Sequence, residues 1–193
     1  MGHGLSMAAR VEGVNRLSKS DCGGASAAQY RARGRPVMSK SLTRVKAALH
    51  AAGVPDSVRE MPGETRTAQQ AADAAGCALD QIVKSIVFRG ALSGQLRLFL
   101  TAGGNQVCPD KASALAGEAL GRADADAVRA TTGFAIGGVA PRGHLTPLPT
   151  WFDPRLTAFP MVWAAAGTPR HIFSVAPEVL HRLTGATLAD FVK

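Results

Sequence analysis

Three short stretches hold the residues whose types and spacing could perform chemistry. The first is Lys84, an amine on a strand-like run whose neighbours on the same face are large and apolar. The second is the glycine-rich stretch 137–141, and the third is the break at residues 166–169. Glycine lets the backbone approach a ligand closely, so both stretches can offer main-chain N–H and C=O groups. If the three meet in one pocket, they suit a ligand with a phosphate or carboxylate at one end and a carbonyl at the other.

Each stretch also has a purely structural interpretation. Glycine within a strand pattern usually marks a bulge or a tight turn. A lysine on an apolar strand face can extend its amine to the surface. For Lys84 this structural interpretation and a role in a binding site are equally supported by the sequence. His144 and His171 are, from their local sequence, more typical of surface or core histidines than of catalytic groups.

The usual catalytic and cofactor signatures are absent from the sequence. There is no G-x-x-x-x-G-K-[ST] phosphate loop, no H-E-x-x-H, no C-x-x-C and no G-x-S-x-G. The three cysteines lack metal-ligand spacing, which indicates reduced thiols rather than a zinc site or a disulfide framework. We therefore expect neither a metal nor another cofactor.

The strands that must position these residues are predicted from alternating apolar residues. The clearest strand covers residues 82–89, is apolar on both faces and is therefore expected at the centre of a sheet. A hairpin loop leads from it to a partner strand at residues 96–101. The glycine-rich stretch is expected at the end of another strand. Further strands are predicted at residues 57–61, 161–166 and 171–175.

Helices are predicted from apolar spacing and from capping residues. Thr67 begins a capping box, Asp110 and Asp124 are candidate N-caps, and Pro177 suits a first helical position. The predicted helices cover residues 42–49, 71–75, 111–120, 125–131, 177–183 and 188–192. Helices and strands in this order predict an α+β domain with a mixed sheet.

Composition limits the class of protein and its partner. The 193 residues suit one domain, and the net charge of +8 favours an anionic partner, of which nucleic acid is the obvious one. Residues 1–37 hold six basic and two acidic residues, half of that net charge, and are interpreted as a disordered basic extension or a start assigned too far upstream. The domain is predicted to span residues 38–193. No apolar run approaches ~20 residues and no secretory signal is present, so we expect a cytoplasmic protein without a membrane partner.

The lysine and the G-x-x-x-P element together resemble the YbaK family of aminoacyl-tRNA deacylases, relatives of the editing domain inserted in bacterial prolyl-tRNA synthetases. The resemblance runs from about Met38 to the C-terminus and leaves residues 1–37 outside. The pair of motifs is specific, whereas either motif alone would be weak. The matching residues are Thr67-Ala68, Gln81 to Ser85, Asp110-Lys111, 132–144, 148–150, Asp153 and 166–169.

The resemblance implies a fold and a function. It implies a single α+β domain with a mixed, mostly antiparallel, barrel-like sheet surrounded by helices. It also implies a freestanding trans-editing hydrolase that cleaves the ester of a mischarged tRNA, with a ribose hydroxyl of the terminal adenosine assisting. A small amino acid such as cysteine or alanine on proline tRNA is the expected substrate.

The resemblance further implies roles for single residues. Lys84 would hold the terminal phosphate or ribose, and backbone groups of Gly137 and Gly138 would hold the carbonyl, so these three are the predicted catalytic residues. The predicted substrate-binding residues are Thr67, Pro141, His144, Gly167, Thr168 and His171.

Two other functions remain open from the sequence. One is a catalytically silent module that binds tRNA or regulates through it, and the other is a small-molecule ester hydrolase using the same pocket. The expected partners are the acceptor end of aminoacyl-tRNA and prolyl-tRNA synthetase. The sequence does not indicate an oligomeric state.

Overall fold

The structure is a computed structural model that describes residues 39–63 and 67–193. The interpretation of residues 1–37 concerns a segment outside the described residues. The helices are α1 (Lys40–Ala51), α2 (Ala68–Ala75), α3 (Pro109–Ala116), α4 (Ala125–Thr132) and α5 (Pro177–Thr184). The strands are β1 (Arg59–Glu60), β2 (Ile82–Gly90), β3 (Leu96–Ala102), β4 (Leu120–Arg122), β5 (Thr150–Phe152), β6 (Val162–Thr168), β7 (His171–Val175) and β8 (Thr187–Leu188). Short 3₁₀ helices lie at Leu79–Gln81 and Pro154–Ala158.

The described strands form one sheet in the order β1-β7-β6-β2-β3-β5-β8, with β4 paired to β2. The two longest ladders, β2 with β3 and β6 with β7, are antiparallel, as are β1 with β7 and β2 with β4. Parallel pairs join β2 to β6, β3 to β5 and β5 to β8. The predicted α+β class with a mixed, mostly antiparallel sheet is confirmed, and so is the central position of the strand that carries Lys84.

The larger core lies between the sheet and helix α1. Every residue of β3 is buried, which fits a strand covered on both faces. Leu42, Val45 and Leu49 of α1 follow helical spacing and are buried in this core. A second apolar cluster lies under α2, where Ala71 packs with Trp163 and other residues of the sheet. This second cluster borders the candidate site.

Local capping signals were predicted correctly at α2 and α4. The Thr67 hydroxyl accepts from the Gln70 amide at 3.2 Å, and the Gln70 side chain accepts from the Thr67 amide at 3.3 Å. Gly76 ends α2 with a φ of 69°. Asp124 caps α4 by accepting from the Ala127 amide at 2.7 Å. Because these contacts involve residues three apart, sequence spacing alone reveals them.

The prediction of a helix at residues 111–120 capped by Asp110 was wrong at both ends. The helix begins at Pro109, after Cys108, and ends at Gly117 with a φ of 73°. The following Leu120–Arg122 forms β4 and pairs with the end of β2. The hydrophobic spacing of the helix continues into β4. The boundary between the helix and β4 is therefore visible only from the pairing of β4 with β2.

The predicted helix at residues 188–192 and the predicted strand before the glycine-rich turn were also wrong. Residues 188–192 do not form a helix, because Thr187–Leu188 pairs with β5 and Val192 bridges to Val107. The glycine-rich stretch after Thr132 is a loop and not the end of a strand. The short strand β5 follows that loop and was not predicted.

No helix within residues 39–63 and 67–193 is both long enough and apolar enough to cross a membrane.

The C-terminal segment is fixed to the sheet through Phe191. Its ring is fully buried and lies 5.0 Å from the Phe99 ring in an edge-to-face arrangement. Its carbonyl accepts from the Cys108 amide at 2.8 Å, and the Lys193 amide donates to the Gln106 carbonyl at 3.0 Å. The last residues are therefore part of the folded domain.

Replacing Phe191 by alanine should lower the free energy of unfolding by about 3–5 kcal/mol, because a large buried ring leaves a cavity beside Phe99. Urea denaturation of the purified protein measures this loss. Leu92→Ala is the control, since Leu92 is 89% exposed and its truncation should stay within about 0.5 kcal/mol of wild type. Equal losses in both variants would contradict the docking of the C-terminus.

Candidate active site

Strand β2 is paired unequally on its two sides. On one side β3 follows it from Val83 to Arg89. On the other side β6 pairs only at Ile82 and Val83, and β4 begins only at Phe88. Residues 84–87 consequently have no strand neighbour on that side in the described part of the chain. This gap in the sheet leaves main-chain polar groups of β2 without ladder partners.

A pocket of about 310 Å³ opens at this gap. The strand β2, the β6–β7 pair, the start of α2 and the glycine-rich loop each contribute to its wall. It brings together three of the predicted site residues, Thr67, Lys84 and Gly137. The lining residues are Thr67, Ala68, Ala71, Ile82, Val83, Lys84, Ser85, Ile86, Ile136, Gly137, Val139, Trp163, Ala164, Ala165 and Ile172.

Lys84 is half-buried in the wall of this pocket. Its Nζ donates to the main-chain carbonyl of Asn105. Burial lowers the pKa of the Lys84 amine, and the negative charges of Asp153 and Asp80 oppose that shift. Lys84 makes no ion pair with any carboxylate in the described residues, so its charge is not neutralised by direct contact. It can therefore attract an anionic group of a ligand.

A buried carboxylate lies behind Lys84. Asp153 is 2% exposed and its Oδ2 accepts from the Thr101 hydroxyl at 3.1 Å, the Ala102 amide at 3.0 Å and the Asn105 side-chain amide at 2.8 Å. A buried charge needs such partners to offset its lost hydration. Asp153 thus fixes Asn105, whose carbonyl in turn holds the amine of Lys84.

Sequence reasoning assigned no site role to Asp153 or Asn105. Asn105 was predicted only as a turn residue, and Asp153 was only part of the family resemblance. One signal was present, because Thr101 is, apart from Arg97, the one polar residue of a strand that is apolar and buried throughout. A buried hydroxyl requires a partner, but the sequence does not say which distant residue provides it.

The glycine-rich loop makes a tight turn over the pocket. Gly137 has a φ of 85°, and the Gly138 amide donates to the Ala135 carbonyl at 3.0 Å. The amides of Ile136, Gly137 and Val139 have no acceptor among the described residues, and all three residues line the pocket. They are the candidate donors to a substrate carbonyl. The role predicted for Gly138 stays a prediction, and its amide is already used within the turn.

The glycine-rich loop and the β6–β7 turn meet at Gly138. The stretches 137–141 and 166–169, which the sequence analysis singled out, therefore do lie together. A Cβ added to Gly138 would lie 2.7 Å from the carbonyl carbon and 2.8 Å from the Cα of Thr168. The Thr168 hydroxyl and the His171 Nδ1 lie 2.7 Å apart, which closes this turn. Thr168, His171 and Gly167 are not among the lining residues. Thr168 contacts the loop at Gly138, His171 contacts Thr168, and Gly167 approaches the main chain of Ser41 in α1.

Pro141 and His144 lie outside this pocket. They line a separate cavity of about 350 Å³ together with Arg142 and other residues. The His144 Nε2 lies 2.8 Å from the Ala140 carbonyl, which can only accept, so Nε2 carries the proton. Burial lowers the pKa of His144, the bond to Ala140 opposes this, and the cations of Arg142 and Arg44 lower it further. The structure thus separates these two predicted residues from Lys84.

Within the described ranges, no group of three or more His, Cys, Asp or Glu side chains is arranged to hold a metal ion.

Replacing Gly138 by alanine should lower the free energy of unfolding by about 1–3 kcal/mol, because the new Cβ overlaps the main chain of Thr168. Gly63→Ala is the matched control, since no atom of the described residues lies within 4 Å of a Cβ there and no unfavourable φ is involved. Chemical denaturation compares the two. Unchanged stability of Gly138→Ala would show that the two turns do not touch as described.

Acidification should destabilise the protein in part through His144. Its folded-state pKa lies below the unfolded value of about 6.5, so the unfolded chain binds the proton first as the pH falls. Stability is therefore full above that value and declines as the pH drops below it. In His144→Gln the amide can still donate to Ala140 but does not titrate, so the decline from about pH 7 to 5.5 should be shallower. Identical pH profiles from urea denaturation would contradict this.

The fold and sequence are similar to those of solved structures. A candidate trans-editing enzyme for prolyl tRNA synthetase is 48% identical, with a TM-score of 0.75 over 81% of this chain and 99% of that chain. The hypothetical protein APE2540 is 25% identical, with a TM-score of 0.72 over 78% of this chain and 99% of that chain.

Sequence comparison leads to the same group of proteins. The uncharacterised protein YwhH of Bacillus subtilis strain 168 is 30% identical over 125 residues, which is 65% of this chain and 79% of that protein. The profile of the aminoacyl-tRNA editing domain matches residues 62–183, a span that includes Lys84, the glycine-rich loop and the β6–β7 turn. The predicted resemblance is thus confirmed, and the chain belongs to the family of aminoacyl-tRNA editing domains.

Proposed function

We propose that this protein is a freestanding trans-editing deacylase that hydrolyses the ester bond of a mischarged aminoacyl-tRNA. The observation that carries the proposal is the gap in the sheet, where Lys84 and the amides of Ile136, Gly137 and Val139 border one pocket. Family membership supports aminoacyl-tRNA as the substrate. The name of a 48% identical relative, a candidate trans-editing enzyme for prolyl tRNA synthetase, supports proline tRNA as the carrier and that synthetase as a partner.

The pocket supplies binding and charge stabilisation. Lys84 would hold a phosphate or ribose oxygen of the terminal nucleotide as a point charge. The loop amides would donate to the carbonyl oxygen, which becomes negatively charged when a nucleophile attacks the carbonyl carbon. Donors that are held in place before the reaction stabilise this charge without reorganising. Asp153 and the Gly138 contact provide that rigidity.

Among the described residues that line the pocket, no side chain is suited to be a general base. The polar side chains among them are Thr67, Lys84 and Ser85, and none of these described lining residues is a His, Cys, Asp or Glu. The Thr67 hydroxyl caps α2, and the Ser85 hydroxyl is buried from solvent. A ribose hydroxyl of the substrate is then the available group to activate water. Water adds to the carbonyl carbon, the ester C–O bond breaks, and the tRNA oxygen that leaves takes a proton.

The size and lining of the pocket support a small amino acid. Ligand pockets typically span about 300–1,000 Å³, and this one, at about 310 Å³, is near the lower limit. Bulky side chains of Ile82, Ile86 and Trp163 occupy its wall. A synthetase discriminates poorly against a smaller amino acid, so a separate editing site for alanine or cysteine has a clear purpose.

Lys84→Ala should reduce kcat/KM for deacylation by about 100-fold, because the terminal nucleotide would no longer be held in position against the loop amides. The assay uses proline tRNAs charged with alanine, cysteine, serine, threonine or proline, and wild type should hydrolyse one or two of the mischarged forms. Lys46→Ala is the control, since this lysine of α1 pairs with Asp56 and does not line the pocket.

Three outcomes would contradict the proposal. Full activity of Lys84→Ala would show that the site is assigned to the wrong residue. Binding of tRNA without hydrolysis by wild type would indicate a silent binding module. Cleavage of free aminoacyl esters as fast as charged tRNA would indicate a small-molecule ester hydrolase.

A further inference from the structure

Arg59 on the edge strand β1 has no role in the site described so far. Its guanidinium carbon lies 4.9 Å from the centre of the Trp163 ring, in a cation–π arrangement. Arg59 is exposed and makes no ion pair with any described carboxylate, whereas the next residue, Glu60, pairs with Arg170 at 3.4 Å. A planar cation is thus held against an indole, and no carboxylate of the described residues pairs with it.

Strand register places Arg59 on the same face of the sheet as the pocket. Arg59 is paired with Ile172, and Ile172 is paired with Ala165 of β6. Paired residues point to the same face, and both partners line the pocket. On β2, Lys84 follows Val83, which is paired with Ala164, and therefore lies level with Ala165. Arg59 and Lys84 thus stand at opposite ends of one row across four strands.

The position of Arg59 beside the pocket suits the nucleotide part of a substrate. Its backbone lies three strands from Lys84, and neighbouring strands are about 4.8 Å apart. Its guanidinium lies over Trp163, which lines the pocket, whereas Arg59 itself is not among the lining residues. An aminoacyl-tRNA whose aminoacyl group is in the pocket can therefore extend its nucleotides past Arg59.

We propose that Arg59 and Trp163 form a stacking platform for an unpaired base of the tRNA acceptor end. Unpaired bases stack on arginine planes and on aromatic rings, and every base offers a suitable face. The inner face of the guanidinium packs on Trp163, and a base packs on its outer face. The inference rests on the proposed function. It assigns to the Arg59–Trp163 platform the selection of a nucleic acid over a small ester.

Binding of uncharged proline tRNA tests the platform without requiring catalysis. The measurement is made in a Trp151→Phe background, so that Trp163 is the one tryptophan fluorophore and its emission reports binding at the platform. Arg59→Ala should raise the Kd by about 5- to 150-fold, the usual effect of losing one base-stacking contact. Arg59→Lys should bind almost as poorly, because an ammonium keeps the charge but offers no plane. Arg122→Ala, which removes an exposed arginine of β4, should remain within about twofold of wild type.

The salt dependence separates stacking from a phosphate contact. The slope of log Kd against log salt should be the same for Arg59→Ala and wild type. Recovery of binding in Arg59→Lys, or a slope smaller by about 0.7 in Arg59→Ala, would identify a phosphate contact and overturn the platform.

Kinetics distinguish failure of the platform from failure of the proposed function. Arg59→Ala should lower kcat/KM for a charged tRNA by raising KM as it weakens binding, and should leave kcat at saturating charged tRNA within about twofold of wild type. Wild type that binds tRNA through Arg59 but hydrolyses no charged tRNA would refute the deacylase and keep the platform. Arg59→Ala that binds and deacylates like wild type would refute the platform and keep the deacylase.

Discussion

The unequal pairing of strand β2 is the constraint on which the candidate site depends. Along β3 the strand has a complete ladder, whereas between Val83 and Phe88 its other side is open. The complete ladder keeps the strand rigid at the centre of the sheet. The open side provides space where a ligand can approach both Lys84 and the main chain. A fully paired strand at this position would leave no pocket.

Two contacts between distant segments hold the groups around this opening. The buried carboxylate of Asp153 collects three donors, one of them from Asn105, and so fixes the carbonyl that receives Lys84. On the opposite wall, Gly138 brings the glycine-rich loop against Thr168 with no room for a side chain. Both contacts reduce the reorganisation that charge stabilisation would otherwise require.

Much of the fold could be predicted because its signals are local. The strand predicted at 82–89, the capping box of Thr67 and the Asp124 cap were all visible in residues three to eight positions apart. The site lysine and the glycine loop were found through their types and through the family resemblance. The helix at 111–120 failed because a hydrophobic period cannot show where a helix gives way to a paired strand.

The sequence by itself determined which residues could perform chemistry, namely an amine on an apolar strand and a loop without side chains. Only the tertiary structure decided how they are grouped. It grouped Lys84 and Gly137 in one pocket, placed His144 in another cavity, and put Arg59 over Trp163 on the same face of the sheet. The physical reason is that strand order and register, which set these neighbours, depend on contacts between residues far apart in the chain.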